Sequence, residues 1–289
     1  MKQIIKRGSF FTLMFMLLGC LSLYAADNDL ITKQITIQLE KAGTLPDRIG
    51  SRRKYKITNL KIIGEINGAD LSMIREMAGG NNTDGKLSVL DLSDAKIVEG
   101  GGSYYYNHTG SYYTSNDVIG SYAFKGCSGL TSLTLPAGIT SIGDRAFLGC
   151  FGLTSLTLPA GITSIGDSAF SDCRGLTSLS LPAGITKIGD YAFSDCRGLT
   201  SLSLPAGITE IGECAFAECS GLTSLTLPAG ITEIVNGTFS GCSGLTSLTL
   251  PAGITEIGSD AFRDCSGLTS LTLPAGITKI SPYAFSICI

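Results

Sequence analysis

Apolar and polar positions in the C-terminal part of the chain recur with one fixed period of 23 residues. Complete units begin at Ala123, Ala146, Ala169, Ala192, Ala215, Thr238 and Ala261, and an eighth starts at Ala284 and stops after six residues. One unit, Ala146 to Ser168, reads AFLGCFGLTSLTLPAGITSIGDS. Its Leu153, Leu156 and Leu158 follow the pattern L-x-x-L-x-L. Period-two alternation puts Leu156 and Leu158 on the inward face of a short strand and turns Ser155 and Thr157 outward. Pro159-Ala160-Gly161 ends the strand, read as a type I turn with proline presetting φ and glycine in the last place. Ile162 and Ile165 supply the next inward pair. Asp167, like Asp144, Asp190, Glu213, Asn236 and Ser259 in other units, is read as the N-cap of a helical turn at Ala169-Phe170-x-x-Cys173. In the last unit Pro282 takes that slot behind Ser281, which suits a serine cap with proline first in the helix. Gly152, Gly175, Gly198, Gly221, Gly244 and Gly267 follow the turn by two residues and are read as left-handed C-caps.

No single coil encloses its own apolar side chains, so the units must stack, like on like. Stacking predicts a phenylalanine ladder of Phe124, Phe147, Phe170, Phe193, Phe216, Phe239 and Phe262. It also predicts a cysteine ladder of Cys127, Cys150, Cys173, Cys196, Cys219, Cys242 and Cys265, which Cys288 continues. Side chains stacked in parallel point alongside one another, a poor geometry for disulfides. Buried reduced cysteine acting as a small hydrophobe is therefore favoured over bridging. Cys214 stands outside the ladder and is expected at the surface.

The pattern A-F-x-x-C-x-x-L-x-x-L-x-L-P-x-x-I-x-x-I-G resembles the BspA-type leucine-rich repeat of bacterial surface proteins. The resemblance covers residues 118–289 closely and implies a leucine-rich-repeat solenoid. The expected architecture is a right-handed superhelix or horseshoe of short parallel strands joined by short helical or 3-10 turns.

Upstream, Ile57-x-x-Leu60-x-Ile62 and Leu87-x-x-Leu90-x-Leu92 repeat the leucine logic. Between them Asp70 is read as capping a helix with Leu71, Ile74, Met77 and Ala78 on one face, closed by Gly79-Gly80. Ile35 to Leu39 is a further candidate strand. Residues 27–99 therefore read as an N-terminal cap of atypical, degenerate repeats. Residues 100–117 are an insertion of glycine and tyrosine, holding Tyr104, Tyr105, Tyr106, Tyr112 and Tyr113, half of the chain's 10 tyrosines. Long unstructured insertions are often functional, and tyrosine gives large contact area at low entropy cost. These five are ligand-binding candidates, set against a loop whose tyrosines pack on the solenoid's side.

Residues 1–26 read as an export signal: Lys2, Lys6 and Arg7, an apolar core from Phe10 to Leu18, and Tyr24-Ala25-Ala26. Leu17-Leu18-Gly19-Cys20 resembles a bacterial lipobox, so Cys20 is a lipidation candidate beside cleavage after Ala25 or Ala26. The expected location is secreted or at the cell surface or outer membrane of a Gram-negative bacterium, with the periplasm as a variant. Losing three cations moves the formal charge from −3 to −6, which is no footprint for a nucleic-acid partner. No segment suits a transmembrane span.

Chemistry has few candidates. The only histidine, His108, lies in the insertion, away from cysteine or repeated carboxylate. Asp172, Asp195, Glu218 and Asp264 recur at one repeat position as a stripe of like charge, without the separated environments of an acid/base pair. No cofactor, metal or catalytic site is expected. Outward strand positions form a hydroxyl face from Ser132/Thr134 and Ser155/Thr157 to Ser270/Thr272, suited to a repetitive ligand. Variation concentrates at Arg145, Ser168, Tyr191, Cys214, Gly237, Asp260 and Tyr283, beside Phe151, Arg174 and Arg197. Tyr191, Arg174 and Arg197 are thus candidates for a specific protein partner. The expected function is adhesion to protein or glycan on a host or neighbouring cell, or a spacer without its own ligand. Phe285, Ile287, Cys288 and Ile289 belong to an unclosed coil, an expected place for self-association.

Overall fold

The computed structural model describes residues 30–288, a parallel-strand solenoid of about 11 turns. The export signal, Cys20 and Ile289 lie outside the described residues. The first turns are irregular. Strand β1 (Ile35–Leu39), helix α1 (Leu45–Ile49), strand β2 (Asn59–Ile66), helix α2 (Gly68–Met77) and strand β3 (Val89–Ile97) precede the regular coils. Strands β1, β2 and β3 pair in parallel, and β3 pairs onward with Ser132–Thr134, so these segments extend the sheet of the repeats. Helix α2 buries Leu71, Ile74 and Met77 as its apolar spacing requires. Its N-cap is Asn67, while Asp70 occupies the third position and completes the capping box. Asp70 also accepts from the Leu45 amide at 2.9 Å, which explains a fully buried carboxylate.

Each regular coil carries two short strands. The first row runs through Ser155–Thr157, Ser178–Ser180, Ser201–Ser203, Ser224–Thr226 and Ser247–Thr249, in blocks of parallel ladder. Leucine sits on leucine and serine on serine across coils, as in Leu133 opposite Leu156 and Ser178 opposite Ser201. The second row buries isoleucine from Ser141–Ile142 through Glu256–Ile257, with Ile188 opposite Ile211, and leaves Ile280 of its last strand, Lys279–Ile280, exposed.

The side bearing phenylalanine and cysteine is not the helical turn that the spacing suggests. Backbone N–H groups there alternate between partners. Ala169, Ser171 and Cys173 donate within the coil to residues three back, at 3.3, 3.1 and 3.1 Å. Ser168, Phe170 and Asp172 donate to Asp190, Ala192 and Ser194 of the next coil at 2.7 to 2.8 Å. Left-handed backbone at Ser168 (φ 53°) and Asp172 (φ 60°) produces this alternation and excludes an i→i−4 ladder.

Three local readings change with it. The Asp167 side chain caps no helix in its own coil: its Oδ1 accepts the Asp190 amide of the next coil at 2.9 Å, and Asp144 does the same for Asp167 at 3.0 Å. The glycines at Gly152 and its equivalents do not take positive φ. They are small because a coil's backbone passes over them. A Cβ on Gly198 would lie 2.3 Å from the Arg174 carbonyl oxygen. In the turn after the strand, Ile162 donates to the Pro159 carbonyl at 3.3 Å. Proline is therefore the first residue of the turn, and Gly161 the third.

The phenylalanines from Phe124 to Phe285 stack with centroids 5.0–5.6 Å apart and planes within 11° of parallel. Each from Phe124 to Phe262 is fully buried. Beside them every ladder cysteine from Cys150 onward donates its S–H to the phenylalanine carbonyl of the preceding coil, as Cys196 does to Phe170 at 3.1 Å. All the cysteines from Cys127 to Cys288 are free thiols. Cysteine thus fills the volume of a small hydrophobe and still gives a carbonyl a second donor. Burial pushes the Cys127 thiol up to about 11 and those of Cys219 and Cys265 to about 12. Cys214 is half-buried rather than open.

Two outcomes follow from this stacking. Phe193→Ala should cost about 3–5 kcal/mol, since the rings on both sides lose a face. Hydrogen exchange should then show loss of protection in the coils of Phe170 and Phe216 as well as its own; loss confined to one coil would contradict a shared core. The thiols give a pH signature. Folded pKa values lie above the ordinary value of 9.0, so their contribution is complete below about pH 9 and declines as pH rises toward 12. Urea midpoints should hold steady from neutral pH to about 9 and fall beyond it, with a smaller fall in Cys196→Ala.

Candidate functional site

The first strand row builds one broad face. Its residues divide by what their hydroxyls do. The threonine before most strands is tied into the stack: Thr154 Oγ1 donates to the Thr131 carbonyl at 3.0 Å, Thr200 to Thr177 at 3.2 Å and Thr246 to Thr223 at 3.1 Å. The outward strand hydroxyls do not share this role. Ser155, Thr157, Ser178, Ser180, Ser201, Ser203, Ser224, Thr226, Ser247 and Thr249 alternate with buried leucine and are exposed. Ser132 and Thr134, nearer the insertion, are half-buried. None of these side chains bonds to another described residue. The face is therefore a lattice of free donors and acceptors.

It is also furrowed. Where the strands meet the Pro-Ala-Gly turns, shallow grooves of about 330, 440 and 460 Å³ open over successive pairs of coils. Equivalent residues line each: Thr157 and Ala160 with Ser180 and Pro182, Ser203 and Ala206 with Thr226 and Pro228, Thr249 and Ala252 with Thr272 and Pro274. No charged residue falls in any strand-and-turn segment from Thr131–Gly138 to Thr269–Gly276. The neighbouring strand row differs, with Lys187 paired to Glu210 at 2.6 Å and Lys279 to Glu256 at 2.9 Å.

The insertion is ordered secondary structure, not an unstructured loop. Strands β4 (Gly100–Asn107) and β5 (Gly110–Thr114) pair antiparallel around a turn that carries the exposed His108. Three successive left-handed glycines, Gly100 to Gly102, lead into it. The backbone at Gly101 lies against Asn67, where an added Cβ would sit 2.0 Å from Oδ1. Most of its tyrosines serve packing. Tyr104 is buried, donates to the Ser121 carbonyl at 2.7 Å and has its hydroxyl pushed up to about 12 by burial. Tyr105 and Tyr112 close on Tyr122 with centroids 4.9 and 4.6 Å away. Only Tyr106 and Tyr113, at 74% and 59% exposure, remain as contact surface.

Sequence reasoning missed the anchor beneath this hairpin. Arg75 is fully buried, donates to the Tyr122 and Ala123 carbonyls at 2.5 and 3.0 Å, and lies 4.8 Å from the Tyr105 ring centroid. Its position one helical turn after Leu71, on the buried face of α2, was the available signal.

The variable edge is a conformational slot. Arg145, Ser168, Tyr191, Cys214, Gly237, Asp260 and Tyr283 all have φ between 51° and 62°. Tyr191 and Tyr283 project outward, at 47% and 72% exposure. The acidic stripe of Asp172, Asp195, Glu218 and Asp264 occupies a second left-handed slot, which Gly149 and Gly241 also fill. Asp tolerates that conformation better than most residues. Arg174 and Arg197 bind back to Asp172 and Asp195 at 2.7 Å, and Arg174 stacks 5.3 Å from the Phe151 centroid. Asp264 meets Arg263 at 3.3 Å, so three of the four acids of the stripe have a cation beside them. Among the described residues no group of three or more His, Cys, Asp or Glu is placed to hold a metal ion. No helix among them is long and apolar enough to cross a membrane.

Comparison with known proteins agrees with this geometry. A leucine-rich-repeat protein of T. pallidum is 34% identical, with 54% of this chain and 73% of that one covered and a TM-score of 0.51. One from Bacteroides ovatus is 25% identical over 59% of this chain and 50% of its own length, with a TM-score of 0.46. A leucine-rich cell surface protein of Faecalibacterium prausnitzii is 24% identical, covering 88% and 85%, with a TM-score of 0.42. No curated protein sequence matches the chain. The profile of the BspA-type leucine-rich-repeat region matches in six copies over residues 108–221 and 163–289. With stacked 23-residue coils across that same span, the chain belongs to the BspA-type leucine-rich-repeat family.

Proposed function

We propose that this protein is an exported, non-catalytic adhesion module that holds a macromolecule of a host matrix or a neighbouring cell against its open hydroxyl face. One observation carries the reading: row upon row of exposed strand hydroxyls without an intramolecular partner, on a face with shallow furrows. Small-molecule sites are concave and bury most of their ligand. A furrow repeated over successive coils suits an extended ligand with its own repeat. Proteins of this family are generally surface or secreted and generally without catalysis, which agrees with the signal read in residues 1–26. Cleavage there leaves either a soluble chain or one anchored by lipid on Cys20. Intact mass of the mature N-terminus separates the two by the acyl mass.

A second reading, a protein partner on the hairpin and variable edge, draws on the exposed Tyr106, Tyr113 and Tyr191. Aromatic side chains of this kind are enriched at binding hot spots. The two readings part in one binding experiment on cells and immobilised matrix. Thr157→Arg, Ser203→Arg and Thr249→Arg together place bulk and charge on alternate coils of the face, at exposed sites where folding should be unaffected. Binding should drop at least tenfold in this triple variant and stay unchanged in Tyr106→Ser with Tyr113→Ser. The reverse pattern would move the site to the hairpin and sink the face reading.

A further inference from the structure

The ligand of this face has a chemistry that the coil geometry specifies. Resting on the adhesion reading above, we infer that the furrow binds a neutral, linear, equatorially 1,4-linked polysaccharide lying parallel to the solenoid axis, one pyranose per coil.

Three observations converge. The first is direction. The grooves at Thr157–Pro182, Ser203–Pro228 and Thr249–Pro274 lie at the same repeat positions in successive pairs of coils. Set one after another along the stack, they mark a single line across the strands. The second is period. The strands beneath the grooves pair in parallel, Ser178–Ser180 on Ser201–Ser203 and Ser224–Thr226 on Ser247–Thr249, which sets them about 4.8 Å apart, close to the length of one 1,4-linked pyranose in an extended chain. Each sugar then faces an equivalent serine, threonine and proline, presenting alternate edges to them because successive sugars of such a chain turn over about its axis. Polypeptides do not keep this step. An extended strand rises about 3.3 Å per residue and a polyproline helix about 3.1 Å, so either falls out of register with the coils. Within each block of ladder the strand backbones are already paired from coil to coil, which leaves their N–H and C=O groups engaged there.

The third is charge and lining. The furrow is uncharged, in a chain whose formal charge is −3. Sulfated or uronic polymers would meet no cation within it and would be repelled by the whole molecule. Its walls combine free hydroxyls at Ser203 and Thr226 with apolar Ala206, Leu227 and Pro228. A pyranose has the matching pair of surfaces, equatorial hydroxyls at its rim and C–H groups on its faces. Burying the C–H faces against alanine and proline while the rim exchanges bonds with serine and threonine leaves no polar group unpaired. Binding shared over many weak, identical subsites makes affinity a function of length.

The test uses the mature protein and fluorescently labelled β-1,4-linked gluco- and manno-oligosaccharides from dimer to hexamer, followed by anisotropy. Affinity for at least one series should rise tenfold or more from dimer to hexamer and be unchanged between low and high salt, as befits a neutral ligand. The Thr157→Arg, Ser203→Arg, Thr249→Arg variant should lose it while keeping the parental melting temperature. Heparin and immobilised gelatin serve as the charged and fibrous-protein arms. Absence of binding by both neutral series, affinity that does not grow with length, or preference of this face for heparin or gelatin would each overturn the inference. If the triple variant still loses cell adhesion while neutral sugars fail to bind, the adhesion reading survives and the polysaccharide falls.

Discussion

The structure depends on the way each coil's backbone bonds alternately to itself and to the next coil. On the phenylalanine side every second N–H turns inward to a residue three back, and every other one crosses to the following turn. Neither set alone defines a fold: the inner bonds make an isolated turn, and the crossing bonds need a neighbour already in register. This explains why like residues lie on like with so little deviation. A slip of one residue between coils would break the crossing bonds, part the phenylalanines and put serine where leucine is buried. Stability in such a stack is close to a sum of neighbour interfaces.

The same constraint explains the residues that look idiosyncratic. Aspartate at Asp144, Asp167 and Asp190 meets an amide of the next coil. Glycine at Gly152, Gly175 and Gly198 clears the backbone of the preceding coil. Cysteine at Cys150, Cys173 and Cys196 gives a carbonyl of the preceding coil its second donor. All three are legible as repeated positions, and their spacing alone suggests local roles, as a cap, a left-handed end and a small hydrophobe. Sequence spacing shows that a residue type recurs, but not which coil its polar atom faces.

Function follows from what stacking leaves over. Threonines such as Thr154 and Thr200, ahead of their strands, engage their hydroxyls between coils, and the outward strand hydroxyls do not. A uniform coil therefore produces a uniform face, whose period the core sets. The hairpin shows the opposite economy. Tyr105 and Tyr112 are drawn into a cluster with Tyr122, Tyr104 is buried against the Ser121 carbonyl, and only two of the five remain at the surface. Arg75 carries a full charge into the interior without a carboxylate. Backbone carbonyls and a tyrosine face compensate it, in keeping with the weaker hydration of guanidinium.

Periodicity along the chain is enough to specify the repeat, the inward leucine, isoleucine and phenylalanine ladders, the outward hydroxyls and the extra strand at β1. Alternation of burial needs no knowledge of a partner. Tertiary structure alone decided the rest. It replaced the expected helical turn by alternating bonds and folded the insertion into a hairpin on Tyr122. It turned Asp167 toward the next coil and set equivalent grooves over successive pairs of coils. Each of these depends on a distance between residues far apart in the chain, or on a backbone angle that only a neighbouring coil makes favourable. One 23-residue unit read alone contains neither.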